Sequence, residues 1–443
     1  MRILLATANS SLGVLIKRSL SRFHYEWVET DNGLDAFQKG ISTRFDLMFL
    51  DFDLPRMESV ELLRRLRSSE SFKFPHILVF THSENQRKQI ESERFPKIQV
   101  IALPIAIREF VDKVEQLLHH DVRLTCVGGG TGLFTLLSGL KSLSNVHLTS
   151  IVSMSDDGGS TGKLRDSFGI LPPGDIRRSI VALSTAPDLL NELIQYRFER
   201  GKELKGHNLG NLLLAALSEM RGSMSEAVKS LSEILNIQGK VIPVTNTVNT
   251  LRAELENGQV LTGEHRIDLF EGRDPKVRIK QFWQEPQVAA NPDAIEALFN
   301  ANFILLGPGD LYTSLISNLI VEGIAEAVTL SRAKKIYISN IMTKPGETTD
   351  FKVSDHIQET VKYLKKDCLD YVLCSSTVFS KETLRVYAQK GQAPVIEKVP
   401  EDLRKITRAK IFWEDCASES EWARHDSLKL ASAVKKIMDD ART

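Results

Sequence analysis

Five Gly-rich segments of this 443-residue chain combine polar side chains with the backbone freedom needed to hold a phosphorylated ligand. The first, CVGGGTGL at 126–133, reads as a strand that turns into a helix. Gly128, Gly129 and Gly130 allow close backbone approach, Thr131 and Gly132 open the helix, and a helix N-terminus offers unpaired N–H groups to an anion. Its last position is Leu133, so it departs from the dinucleotide fingerprint, and a tight turn without a ligand is the bland reading. The second, SMSDDGGSTGKLRDS at 153–167, also follows a strand. Gly158, Gly159 and Gly162 with Ser160 and Thr161 can form a phosphate nest, and Lys163 and Arg165 add cationic donors. Asp156 and Asp157 fall at a strand's C-terminal end, where they can take a ribose hydroxyl or carry Mg²⁺; an Asp/Gly turn is the alternative.

The third region begins with PPGDIRRS at 172–179, which sets Asp175, Arg177 and Arg178 at the start of a helix. Cations there oppose the helix dipole, and an anion at that end would explain them. In KGHNLGNLLLAAL (205–217), His207 and Asn211 are four apart and Asn208 and Asn211 three apart, so the spacing predicts one shared helical face. A hydrogen-bonded polar cluster in the core is the competing account. The fourth, ILLGPGDLYTSL at 304–315, turns through Gly307-Pro308-Gly309 into a helix beginning near Tyr312-Thr313-Ser314. The fifth, at 338–356, presents Asn340, Thr343, Gly346-Glu347-Thr348 and Asp355-His356. Each is weak alone; together they point to a nucleotide or sugar-phosphate ligand. The chain carries no GxxxxGK[ST] loop, no GxSxG elbow and no metal-spaced histidines.

Positioning such loops takes a parallel sheet. Strands are expected at 123–127, 147–154, 240–244, 302–306, 335–339 and 370–374, with a β-rich insertion over 246–290 and a closing helix over 418–443. A smaller unit precedes them, with strands at 2–8, 45–51, 76–81 and 99–102 and helices at 10–23, 32–41, 58–68 and 106–119. The expected class is α/β: a flavodoxin-like unit over 1–120, then a Rossmann-like α/β/α domain over 123–440, with His119-His120-Asp121 as the only break.

Composition limits the rest. Lys and Arg number 57 and Asp and Glu 57, so the net charge is zero and nucleic acid is not an expected partner. Cys126, Cys368, Cys374 and Cys416 show no CxxC spacing and read as reduced thiols. The start MRILLATA has no signal pattern, and no apolar run nears the ~20 residues of a membrane span, so a cytoplasmic protein is expected.

The segment FDLMFLDFDLPRMESVELLRRLR (45–67) resembles the third strand and loop of a response-regulator receiver domain, and the resemblance covers about 1–120. It implies a phosphoacceptor place at Asp51, loop places at Pro55 and Met57, and a switch hydroxyl at Thr81. The acidic pair that holds Mg²⁺ is replaced by Thr7-Ala8, and the lysine before a proline by Leu103 ahead of Pro104. Without them the charge on a transferring phosphoryl group has little to offset it. The expectation is a degenerate receiver for docking or self-association, with a dimer face near its fourth and fifth strands.

Downstream, GGGTGL, DDGGSTGKLR, PPGDIR, GHNLGNLLLA, GPGDLYTS and NIMTKPGET, in this order, resemble the YvcK/CofD family and its YvcK branch most closely. The resemblance spans about 123–430. It implies a cytosolic protein that binds UDP-sugars such as UDP-GlcNAc and supports cell shape and growth on gluconeogenic carbon. The CofD branch implies a Mg²⁺-dependent transferase of a phospholactyl group. By position, Gly128 to Gly132, Asp156, Asp157, His207, Asn208, Asn211, Gly307, Gly309, Tyr312, Thr313 and Asn340 carry over as ligand-lining candidates, with Asp156 and Asp157 as metal ligands in the transferase case. Lys163 stands where relatives often carry Arg. With no evident nucleophile, a ligand sensor acting on protein partners is the favoured reading, ahead of the transferase and of an NAD(P)-binding protein.

Overall fold

A buried strand needs apolar side chains on both faces, and Leu47–Asp51 supplies them in the first unit. The computed structural model describes residues 2–441 apart from 22–24, 70–71, 73–74, 94, 96, 119–121, 270–271, 365–366, 398–399 and 420–422. The chain divides into two compact units, Met1–His120 and Asp121–Thr443; the expected break at 119–121 lies outside the described residues.

In the first unit, β1 (Arg2–Ala6), β2 (Glu26–Thr30), β3 (Leu47–Asp51), β4 (His76–Thr81) and β5 (Ile98–Ala102) form a parallel sheet in the order β2-β1-β3-β4-β5. Along β3, Met48 and Leu50 enter one core while Leu47 and Phe49 enter the other, the two-residue period of a strand covered by helices on both sides. This is the expected flavodoxin-like arrangement. Two elements were absent from the sequence reading. β2 is an edge strand whose EWVET is never fully buried, and the helix Glu84–Ser92 buries only Ile90. The first helix is also shorter than expected, ending at Ser19.

The second unit opens with β6 (Val122–Gly128), β7 (Val146–Val152) and β8 (Lys240–Pro243). The insertion follows as an antiparallel sheet of β9 (Thr250–Leu255), β10 (Val260–Thr262) and β11 (Ile279–Glu285), in the order β10-β9-β11, with the short helix Glu264–Asp268 inside it. The main sheet resumes with β12 (Phe303–Leu306), β13 (Lys334–Ile338), β14 (Tyr371–Ser375) and β15 (Lys410–Glu414). Its order is β15-β14-β13-β12-β6-β7-β8, with all pairings parallel. The chain therefore winds outward from β6 in one direction, returns to β6's other side, and winds outward again, which is the doubly wound Rossmann pattern.

The C-terminal expectation needs correction. Two strands, β16 (Ala417–Glu419) and β17 (Ala423–His425), pair antiparallel ahead of the closing helix, which begins only at Ser427. Asp426 sets that start by accepting the N–H groups of Leu428 and Lys429. Among the described residues, no helix is long and apolar enough to cross a membrane.

Candidate functional site

The topological switch point lies between β6 and β12, whose ends are in register at Val127 and Leu306. Loops leaving these two strands diverge to opposite faces of the sheet and open a crevice there. Close approach explains the glycines. A Cβ on Gly132 would stand 2.6 Å from the Pro308 carbonyl oxygen, and one on Gly129 would stand 2.7 Å from Asp175 Oδ2. The two loops are tied further by Asn318, whose Nδ2 donates to the Gly128 carbonyl at 3.1 Å, and the turn after β12 is braced by Asn340, after β13, whose Nδ2 donates to the Gly309 carbonyl at 2.7 Å. Asn340 thus positions the Gly-Pro-Gly turn.

The N-terminus of the helix Gly130–Leu140 is already met by an anion from the protein. Asp175 Oδ2 accepts the Gly130 N–H at 2.9 Å, and Asp175 Oδ1 pairs with Arg178 at 3.3 Å. Burial pushes the Asp175 carboxyl up to about 6; Arg178 opposes the shift, while Asp156 and Asp310 add to it. Arg177 has a different fate. It is buried and donates Nε to Asn211 Oδ1 at 2.9 Å, and desolvation lowers it to about 10. The paired arginines of the sequence are therefore partnered by Asp175 and Asn211.

The loop after β7 brings Asp156 and Asp157 to the same crevice, with unequal freedom. Asp156 Oδ1 accepts the Gly158 N–H at 2.9 Å. Asp157 accepts the N–H of Glu264 at 3.0 Å and of His265 at 2.8 Å, one on each oxygen, so it anchors the insertion. Ser160 Oγ lies 3.1 Å from His207 Nδ1. Of the cations next in sequence, Lys163 is exposed and Arg165 pairs with Asp166 at 3.3 Å.

Several sequence placements change. The helix after His207 begins at Leu209, with Asn208 as its cap accepting the Asn211 N–H at 3.2 Å, so His207, Asn208 and Asn211 do not share a helical face. His207 reaches Ser160 from the chain ahead of the helix. Tyr312 is 1 % exposed, packs on Phe282 with ring centroids 5.4 Å apart and turns its hydroxyl to Glu359, so its side chain is core and does not line the crevice. Thr313 stays at the crevice, its N–H on Glu347 Oε1 at 3.1 Å. Asp355 caps the helix Val353–Tyr363 by accepting the Lys352 N–H, and His356 is fully buried against Phe351 and Tyr337.

The sequence reading missed the acidic side of the crevice. Glu347 Oε1 accepts the N–H groups of Tyr312 and Thr313, holding the π-helical segment Leu311–Ile316 after β12. Burial raises Glu347 to about 7. Glu264, from the insertion, rises to about 9 through burial first and then Asp268, Asp156 and Asp157. Lys344 faces Asp268, Asp310 and Glu347. Glu347 lies inside the NIMTKPGET segment, but the chemistry of an anion site does not single out an acid. Glu264 and Asp268 lie in an insertion that only the fold folds back over the sheet.

In the first unit the receiver position is occupied as its departures imply. Asp51 Oδ2 accepts the Thr7 hydroxyl at 2.8 Å, with Thr7 standing where an acid would hold metal. His82 Nε2 approaches Asp51 Oδ1 at 3.6 Å, and the Thr81 hydroxyl turns to the Ile101 carbonyl at 3.5 Å.

Comparisons with known proteins agree with both units. Residues 124–412 match the family described as 2-phospho-L-lactate transferase CofD, and residues 3–115 match the response regulator receiver domain. The gluconeogenesis factor of Bacillus subtilis is 38% identical over 318 residues, covering 72% of this chain and 98% of its own. That of Listeria innocua is 40% identical over 317 residues, covering 71% and 95%. A crystal structure of a Bacillus halodurans protein superposes with a TM-score of 0.67 at 38% identity, over 71% of this chain and 99% of that one. The relatives align with one part of the chain only, and a receiver domain occupies most of the remainder. The chain is a member of the YvcK/CofD family, of the group whose curated relatives are named gluconeogenesis factors, joined to a response-regulator receiver domain.

Proposed function

We propose that the large domain binds a nucleotide sugar of the UDP-GlcNAc type in the crevice between β6 and β12 and reports its occupancy to partner proteins. The observation that carries this reading is the meeting of two Gly-rich loops at the switch point, where a Cβ at Gly132 has no room. The names of the Bacillus subtilis and Listeria innocua relatives support a role in gluconeogenesis; supply of envelope precursors and cell shape in the cytoplasm are the further reach of the proposal. The receiver-like unit then serves as the docking or self-association module. A calorimetric titration of the full chain with UDP-GlcNAc, with and without Mg²⁺ and with NAD⁺ and GTP as comparators, tests it. Micromolar binding of intact UDP-GlcNAc without metal is the expected result; silence toward UDP-sugars sinks the reading.

The acidity of the crevice favours one competing account, a Mg²⁺-dependent transferase of the CofD kind. Asp156 and Asp310 lie near enough to Asp175 to add to the rise that burial gives it, and a diphosphate entering beside these carboxylates is helped by a divalent cation. Mg²⁺-dependent GTP binding in the same titration, with turnover, would favour that account.

A further inference from the structure

One group of side chains at the crevice has a geometry that the proposed nucleotide contacts do not account for. Asp268 ends the helix Glu264–Asp268, Asp310 closes the turn after β12, and Glu347 lies in the loop after β13. One carboxylate oxygen from each stands within 4.8 Å of the other two. Opposite ligands of a cation are two bond lengths apart, about 4.2 Å for Mg²⁺ and about 4.8 Å for Ca²⁺. Three carboxylates from three separate elements thus have the spacing and the hard oxygen chemistry of a divalent-cation site.

The centre is held by Lys344. Its ammonium bonds Asp268, lies 2.8 Å from Asp310 and stands 3.6 Å from Glu347 Oε2. Burial works against that charge, but Glu347, Asp310 and Asp268 outweigh it and hold the amine well above its ordinary range. One ammonium does not satisfy the set. Glu347 is 2 % exposed; its Oε1 takes two backbone N–H groups, whereas its Oε2 is sealed from solvent and accepts no hydrogen bond among the described residues. A buried carboxylate oxygen left in that condition is costly unless a cation meets it. It points at the centre Lys344 occupies, and one positive charge there faces three carboxylates.

We propose that Asp268, Asp310 and Glu347 form a divalent-cation site in which the Lys344 ammonium is the resident occupant and competes with the metal for one place. The site is separate from Asp156 and Asp157, and it does not depend on which nucleotide the crevice takes. A lysine is a compact charge on a flexible stem, so exchange needs the side chain alone to withdraw.

The test is a Mn²⁺ titration of the full chain, with free metal read by electron paramagnetic resonance. Lys344→Met is expected to bind one Mn²⁺ about tenfold or more tightly than the unaltered chain. Adding Asp268→Asn or Glu347→Gln to Lys344→Met is expected to return the affinity to the starting level. Circular dichroism checks that each variant folds; Lys344→Gln carries the same expectation if Lys344→Met does not. Binding no tighter than in the unaltered chain overturns the proposal. So does tight binding indifferent to Asp268 and Glu347, which would move the metal to Asp156 and Asp175. Neither result bears on UDP-GlcNAc affinity, so this inference and the nucleotide-sugar reading fail separately.

Discussion

The Asp175 carboxylate accepts the Gly130 N–H at 2.9 Å, so the helix N-terminus that would greet a phosphate already holds an anion of the protein's own. A ligand phosphate seeking that N–H must displace Asp175 or wait for it to lose its charge.

That competition predicts a pH dependence. Asp175 titrates at about 6 in the fold against 3.8 ordinarily, so its charged form is the one the fold disfavours. Protonation on going from pH 7.5 to 5 removes the repulsion, and affinity for a diphosphate ligand rises as pH falls. If only the protonated form admits the ligand, the gain is bounded at about 30-fold. Asp175→Asn keeps an acceptor for Gly130 and removes the charge; its affinity should be high at pH 7.5 and flat with pH. Calorimetric titrations at four pH values check this, and a flat profile for the unaltered chain contradicts it.

The stability consequence of Asp175 has the same sign. A carboxyl whose folded value is raised destabilises the fold where it is ionised, so the cost is absent at low pH and grows as pH rises through about 6. Asp175→Asn should therefore unfold at a higher denaturant concentration than the unaltered chain at pH 8, with the difference closing near pH 4. A denaturant series at the two pH values reads it.

His356 works in the opposite direction. It is fully buried, and desolvation lowers it to about 4, so the fold keeps it neutral. Its contribution is fully present above the ordinary value of 6.5 and is lost as pH falls toward 4. Between pH 6.5 and 5 the loss should be about 2 kcal/mol. His356→Phe should remove that dependence, which urea unfolding at the two pH values measures.

Two glycines should respond oppositely to alanine. Gly132→Ala drives a Cβ to 2.6 Å from the Pro308 carbonyl oxygen, which is backbone and cannot yield cheaply. A cost of about 1–3 kcal/mol and loss of ligand binding are expected. Gly13 lies inside the helix Ser10–Ser19, and its added Cβ would meet only side-chain atoms at 3.5 Å or beyond. Gly13→Ala should be stabilising by up to about 1 kcal/mol. Thermal unfolding of both variants settles the pair.

The first unit should not accept a phosphoryl group. Thr7 donates to Asp51 where an acid would hold Mg²⁺, and Leu103 replaces the lysine. Incubation with acetyl phosphate and Mg²⁺ should leave the intact mass unchanged, while Thr7→Asp, Ala8→Asp and Leu103→Lys together should allow modification of Asp51. A phosphoryl adduct on the unaltered chain would contradict the assignment.

What the sequence showed depended on burial and on charge. Strands such as β3 and β12 are apolar on both faces and read directly, whereas β2 and β15 lie at sheet edges and alternate with exposed residues. The Gly-rich loops were legible because close backbone approach demands that residue type. Tyr312 misled because a tyrosine at a helix start can point inward or outward, and here Phe282 and Glu359 draw it into the core. Glu264, Asp268 and Lys344 were silent because their meeting spans the insertion and the loop after β13, a contact that exists only once the chain is folded.

The central claim is that the crevice between β6 and β12 holds the ligand. Amide hydrogen exchange read by mass spectrometry, with and without saturating UDP-GlcNAc, tests it most directly. The account predicts protection concentrated in peptides covering 128–132, 156–160 and 307–310, with the first unit unchanged at the Asp51 pocket. Protection confined to other segments, or none at a concentration where calorimetry shows binding, would contradict it.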